Sequence, residues 1–79
     1  MPGIEALTRP VIVNFGQRVR LLRKAAGLSQ LELARDSRMT ARFIQEIEHG
    51  RSNPSLETIV LLADALGCTL ADMFPRGLE

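Results

Sequence analysis

Thr40, Ala41, Arg42, Gln45 and Glu46 stand close together in a chain otherwise poor in reactive groups, and their side chains suit one kind of chemistry. Arginine bonds the O6 and N7 of guanine bidentately, glutamine matches the N6 and N7 of adenine, and glutamate accepts from the amino group of cytosine. The small side chains of threonine and alanine meet the methyl group of thymine. On a helix these five residues point outward, because Ile44 and Ile47 take the buried stripe with Met39 just before it. Phe43 is expected in the core against Ile47. The outward five are candidate base contacts for a helix lying in the major groove of double-stranded DNA.

Catalysis finds no comparable set. His49 is the single histidine and Cys68 the single cysteine, so neither a Cys/His metal cluster nor a nucleophile–base pair can be assembled from them. His49 is read as a helix-end residue touching a phosphate. The remaining carboxylates and hydroxyls fall on helix caps or outward faces, and a chain this small implies no pocket. No enzyme activity, cofactor or metal is expected.

The elements that must hold the candidate face follow from local signals. Ser29-Gln30-Leu31-Glu32 is a capping box, in which the serine hydroxyl takes a first-turn amide and the glutamate carboxylate returns to the cap's own N–H. Leu33 and Ala34 face inward on the helix that it starts, with Leu31 at an edge. Asp36-Ser37-Arg38-Met39 is long enough only for an angled connection. Thr40 then caps a second short helix, which Gly50 stops. Residues 29–49 therefore read as a helix-turn-helix. The free amides and positive dipole end at Ser29 and Gln30 suit a backbone phosphate, and Arg18, Arg35, His49, Arg51, Ser52 and Asn53 are the other candidate phosphate contacts.

The chain of 79 residues allows one small domain, and its hydrophobic fraction of 46% is that of an ordinary globular protein. Net charge is only +1, but it is unevenly placed: nine basic against five acidic residues up to Arg51, one against four beyond it, or +4 against −3. Such a split fits a DNA-facing surface backed by another face. A lone cysteine suits a reducing cytoplasm, and neither a signal sequence nor a membrane-spanning run is present, so no membrane partner is expected.

Residues 1–13, with two prolines and a glycine, read as a tail that is not helical before Asn14. They are either an arm reaching a partner or a groove, or a frayed terminus packed through Ile12 or Val13. Asn14 caps a first helix with Phe15, Val19, Leu22 and Ala26 along one stripe, closed by Gly27; its basic residues form a solvated face, from which one or two of Arg18, Arg20 and Lys24 reach phosphates if the helix crosses the DNA backbone. After Pro54, Ser55 or Asn53 caps a strongly apolar helix ending at Gly67. Thr69-Leu70-Ala71-Asp72 opens a last short helix, finished by Pro75 and Gly77. The domain is expected over residues 14–74, with 75–79 as a C-terminal tail in which Leu78-Glu79 is either native or a vector remnant.

Several segments, in order, resemble one family. F-G-x-R-V-R-x-L-R from Phe15 to Arg23, L-S-Q-x-E-L-A from Leu28 to Ala34, F-I-x-x-I-E-x-G-x-x-N-P-S-L-x-T from Phe43 to Thr58, and L-A-x-A-L-G-C-T-L-x-D-M-F near the end are similar to Cro and phage-repressor (XRE) helix-turn-helix proteins. Restriction–modification controller proteins and small phage-type repressors are the most similar kinds. The resemblance implies an all-α, compact five-helix lambda-repressor-like helix-turn-helix domain, bacterial or phage-encoded and cytoplasmic. It implies that Gln30 clamps a phosphate and that Arg23 and Glu48 form a structural ion pair. Arg38 departs from the family pattern, since many relatives carry glycine there in a left-handed turn. The function implied is a transcriptional regulator, a homodimer on a palindromic operator, joined through Leu62, Leu66, Leu70, Met73 and Phe74. An antitoxin-type interaction module on the same fold is the alternative; RNA polymerase and a toxin protein are the further partners that these readings admit.

Overall fold

Local capping decides where most of the helices begin. In the computed structural model, which describes residues 3–74, α1 spans Ile4–Ala25, α2 Gln30–Ser37, α3 Ala41–Glu48 and α4 Leu56–Leu66, and a single 3-10 turn follows at Ala71–Met73. Ser29 and Glu32 form the reciprocal capping box of α2, with hydrogen bonds of 3.0 and 2.9 Å. Thr40 Oγ1 accepts from Phe43 N at 3.1 Å, and Ser55 Oγ from Thr58 N at 3.1 Å. Gly27, Gly50 and Gly67 take the left-handed conformation just beyond α1, α3 and α4, where a carbonyl-capping residue without Cβ is favoured.

Two expectations about the elements are corrected. The chain has four α-helices among the described residues, not five. Thr69 and Asp72 do exchange their capping bonds, yet Phe74 is already extended at φ −120° and ψ 111°, the conformation that a following proline enforces. The second correction is at the other end. α1 starts at Ile4 rather than Asn14 and carries Pro10 in its interior, although a proline there removes one hydrogen bond and costs about 3 kcal/mol or more. Tertiary contact opposes that cost: Arg9 Nη1 donates to the Gly50 carbonyl at 2.8 Å, and Val13, one turn on, packs on the Gly50 backbone. Residues 75–79, including Pro75, Gly77, Leu78 and Glu79, lie outside the described residues.

Phe15, Val19, Leu33, Ala34, Ile44, Ile47, Leu62, Ala63 and Met73 form the core. Leu22 packs at its margin, but Ala26 is exposed beyond the end of α1. Leu62 and Met73, expected at a dimer interface, are fully buried inside the single chain. Part of the apolar surplus of α4 and the final turn thus closes the monomer, while Leu56 and Val60 on α4 stay exposed. Leu70 and Phe74 keep 44% and 41% of their surface exposed, with Leu66 half-buried, and Phe74 stacks obliquely on Phe15 with ring centroids 5.3 Å apart.

α1 and α3 meet backbone to backbone at Gly16. A Cβ added at Gly16 would lie 2.1 Å from the Ile47 carbonyl oxygen, so the absence of a side chain sets the separation of the two helices. Gly16→Ala is expected to destabilise the fold by about 1–3 kcal/mol, the usual cost of overpacking a core. Urea unfolding measures it, and an unchanged midpoint would contradict the close approach. Arg38 caps α2 at φ 62° and ψ 40°, a conformation costing an L-residue about 1–2 kcal/mol, partly offset against the extra chain entropy of glycine, about 0.5–1 kcal/mol. Arg38→Gly is therefore expected to stabilise the protein by roughly 0.5–1 kcal/mol; a lowered midpoint would contradict the strain.

Candidate nucleic-acid interface

Three side chains and one carbonyl fasten the start of α2 to the ends of α1 and α3. Arg23 Nε donates to Glu48 Oε2 at 2.7 Å and Arg23 Nη2 to Glu48 Oε1 at 3.1 Å, a bidentate pair. The two side chains are only 10% and 2% exposed. Arg23 Nη1 also donates to the Leu28 carbonyl at 2.8 Å, and Gln30 Nε2 donates to Glu48 Oε1 at 3.2 Å. The pair anticipated between Arg23 and Glu48 thus reaches Gln30 as well. It fixes the glutamine side chain at the first residue of α2 and leaves its second N–H free to donate.

That end of α2 is suited to an anion. Ser29 Oγ takes the Glu32 amide and the Ser29 carbonyl takes the Leu33 amide, so among the described residues the amides of Gln30 and Leu31 remain unpaired. Backbone donors at a helix start, with the positive dipole end behind them, are where phosphates bind. Glu32 has its carboxyl held below the ordinary range by its bond to the Ser29 amide and then by the Ser29 hydroxyl, with Arg35 a smaller contributor. Arg35 itself is exposed on α2.

Thr40, Arg42, Gln45 and His49 are exposed on α3 and its ends, while Ala41 and Glu46 are half-buried. Ile44 and Ile47 lie inside, and Phe43 packs at the core margin. The Thr40 hydroxyl is engaged as an acceptor for the helix, which leaves its O–H to donate outward. Arg42 has no protein partner among the described residues. The His49 ring is held by a 2.8 Å hydrogen bond between Nδ1 and the Gln45 carbonyl, so Nε2 faces away from the helix. Arg51, Ser52 and Asn53 follow in the loop, with the Arg51 amide closing α3 on the Glu46 carbonyl at 2.9 Å.

Not every expected contact gathers here. Arg18 Nε donates to the Asp72 carbonyl at 2.6 Å, tying α1 to the 3-10 turn. Arg20 and Lys24 instead line an open groove with Gln17 and His49, and Arg20 also borders the Gln30–Glu48 contact. Two positions along a helix differ by about 200° around its axis, so Arg18 and Arg20 serve nearly opposite faces. The basic residues of α1 beside the clamp are Arg20 and Lys24. Sequence alone lists all three as equivalent; only the docking of α1 separates them.

Among the described residues no group of His, Cys, Asp and Glu stands close enough to hold a metal ion, and no helix is long and apolar enough to cross a membrane. The Cys68 thiol is pushed up from its ordinary range by burial, and then by the nearby Asp72 charge.

The Arg23–Glu48 pair should behave as a buried ion pair. Glu48→Ala is expected to cost about 3–5 kcal/mol by stranding the guanidinium, whereas replacing both residues by apolar ones of similar volume should cost less than the sum of the single changes. A double-mutant cycle by urea unfolding measures the coupling, and additive losses would contradict it.

Residues 19–73 match the profile of a family described as helix-turn-helix. The immunity repressor protein of Bacillus phage phi105 is 40% identical over 55 residues, which cover 70% of this chain and 38% of that one. The chain therefore spans well under half the length of that repressor. Control protein C.BamHI of Bacillus amyloliquefaciens is 34% identical over 68 residues, covering 85% of this chain and 84% of that protein. Among solved structures, the restriction-modification controller protein C.AhdI from Aeromonas hydrophila superposes with a TM-score of 0.78 at 43% identity, covering 80% of this chain and 96% of that one.

Proposed function

Since the chain belongs to the helix-turn-helix family of XRE type, we propose that it is a sequence-specific DNA-binding transcriptional regulator. α3 enters the major groove, with Thr40, Ala41, Arg42, Gln45 and Glu46 facing base edges. Gln30 and the free amides at the start of α2 hold a backbone phosphate, with Ser29 and Arg35 beside them. His49 and the Arg51–Asn53 loop follow the backbone from the other end of α3. The observation that carries this reading is the exposed polar face of α3 set beside the unpaired amides of α2 and locked to them through Glu48 and Gln30.

One such helix reads only a few base pairs. The regulator acts as a homodimer whose two α3 helices lie about 34 Å apart and read a palindromic operator across one turn. Leu66, Leu70 and Phe74 supply the contact between subunits, supported by the exposure that Leu70 and Phe74 retain.

Selection of bound fragments from a random oligonucleotide pool is expected to return a palindrome, and sedimentation to find a dimer at micromolar concentration. Asymmetric selected sites bound by a monomer would overturn the dimer. On the selected site Arg42→Ala is expected to cost about 1–3 kcal/mol and to relax preference at one base position. Gln30→Ala should weaken selected and random DNA alike. Identical losses for both variants on both kinds of DNA would remove the division between reading and clamping.

A further inference from the structure

The first turns of α1 border the same surface, where sequence offered either an arm reaching a partner or a groove, or a frayed terminus, and named no contact residue. An open cleft of about 290 Å³ lies between α1 and the loop that leaves α3, lined by Glu5, Thr8 and Arg9 on one side and by Arg51, Ser52 and Asn53 on the other. We propose that this cleft binds one phosphodiester of the DNA backbone, and that Arg9 is the residue which completes it. The proposal rests on the DNA-binding reading above and extends it to a part of the chain outside the helix-turn-helix.

Arg9 is held, not loose. Its Nη1 donates to the Gly50 carbonyl at 2.8 Å, which leaves Nε and Nη2 as donors on a guanidinium whose position is already set. Ordering it in advance removes most of the entropy that a free arginine would lose on meeting a phosphate. Opposite it, the Ser52 and Asn53 amides and side chains have no hydrogen-bond partner among the described residues, and Arg51 is exposed. The residues lining this one cleft at the C-terminal end of α3 therefore bring together two guanidinium groups, a hydroxyl, a carboxamide and two unpaired backbone amides. Successive backbone amides beside arginine are a recurring anion-binding arrangement.

Position selects the ligand. The cleft is continuous with α3 through Gly50, and Gly50 is itself pinned by Val13 and Arg9. A helix seated in a groove brings the loop at its C-terminal end to the strand that borders the groove. Glu5 at the rim opposes the anion, so the site has a net charge of +1 from two arginines and one carboxylate, which suits a singly charged phosphodiester.

The test is the salt dependence of binding by the full chain to its selected site and to random DNA. Arg9→Met, which keeps the apolar stem, is expected to weaken both DNAs by the same factor and to lower the slope of log K against log salt by about one. Arg9→Lys should recover most of that slope, because it restores the charge without the fork. Glu5→Gln should raise affinity on both DNAs. An Arg9→Met protein that binds more weakly with an unchanged slope would show that Arg9 acts only by holding Gly50, and would overturn the site. A wild-type protein with no salt-sensitive affinity for any DNA would instead overturn the parent reading, and the cleft assignment with it. Unaltered affinity and slope in Arg9→Met, beside normal binding by the wild type, would sink the cleft alone.

Discussion

The buried contact between Arg23 and Glu48 is the joint on which the binding surface turns. It links the last turn of α1 to the last residue of α3, and through the Leu28 carbonyl and Gln30 it reaches the start of α2. Removing such charges from water offsets much of their mutual attraction, so the pair adds little net stability over apolar residues of the same size. What it contributes is geometry. A bidentate guanidinium–carboxylate contact tolerates little rotation, and any tilt of α3 against α2 would strand one of its partners. One residue before Glu48 on α3, no comparable polar device is needed, since Gly16 lets α1 approach the Ile47 carbonyl directly. α3 is thus held at its buried side by contact and at its end by charge.

α1 does more than cover the core. Its first turns reach past the helix-turn-helix and meet Gly50, the left-handed residue where α3 ends. A positive φ at that position frees the Gly50 carbonyl from the helix, and Arg9 takes it. The same turn of backbone that stops α3 therefore also anchors the N-terminal extension. Pro10 sits between the two gripping residues, Arg9 and Val13, and its missing hydrogen bond is tolerated because both neighbours are fastened to another part of the fold.

Much of this was legible in the chain because the signals are local. The reciprocal bonds of Ser29 and Glu32, the hydroxyl of Thr40 and the glycines after α3 and α4 act within a few residues of themselves, and the alternation of Ile44 and Ile47 with polar neighbours separates inside from outside without tertiary knowledge. The parts that sequence missed are settled by distant partners. Nothing near Gly16 announces that a carbonyl from α3 will fill the place of its side chain. Proline and glycine in residues 1–13 argue locally against a helix, and the contact that overrides them is with Gly50. Leu62 and Met73, expected at an interface, are apolar like their neighbours, and that they face inward is decided by how α2 closes on α4 and α1 on the final turn.

A division between fixed and free side chains runs across the surface. Gln30, Glu48 and Arg9 are tied to protein groups and are proposed to meet the backbone of the nucleic acid or to hold its contacts, whereas Ser52 and Asn53, proposed beside the same backbone, have no protein partner among the described residues. Arg42 has no protein partner among the described residues and stands exposed on α3. Ordering such a side chain on binding costs about 0.5–1.5 kcal/mol, which only a well-matched base edge recovers. A fixed donor binds any phosphate at little entropic cost, whereas a free one penalises every site that fails to match it. On the proposed reading, the fixed residues contribute affinity common to all sequences and Arg42 the preference for one, and the rigidity contributed by the Arg23–Glu48 joint keeps the two sets in register.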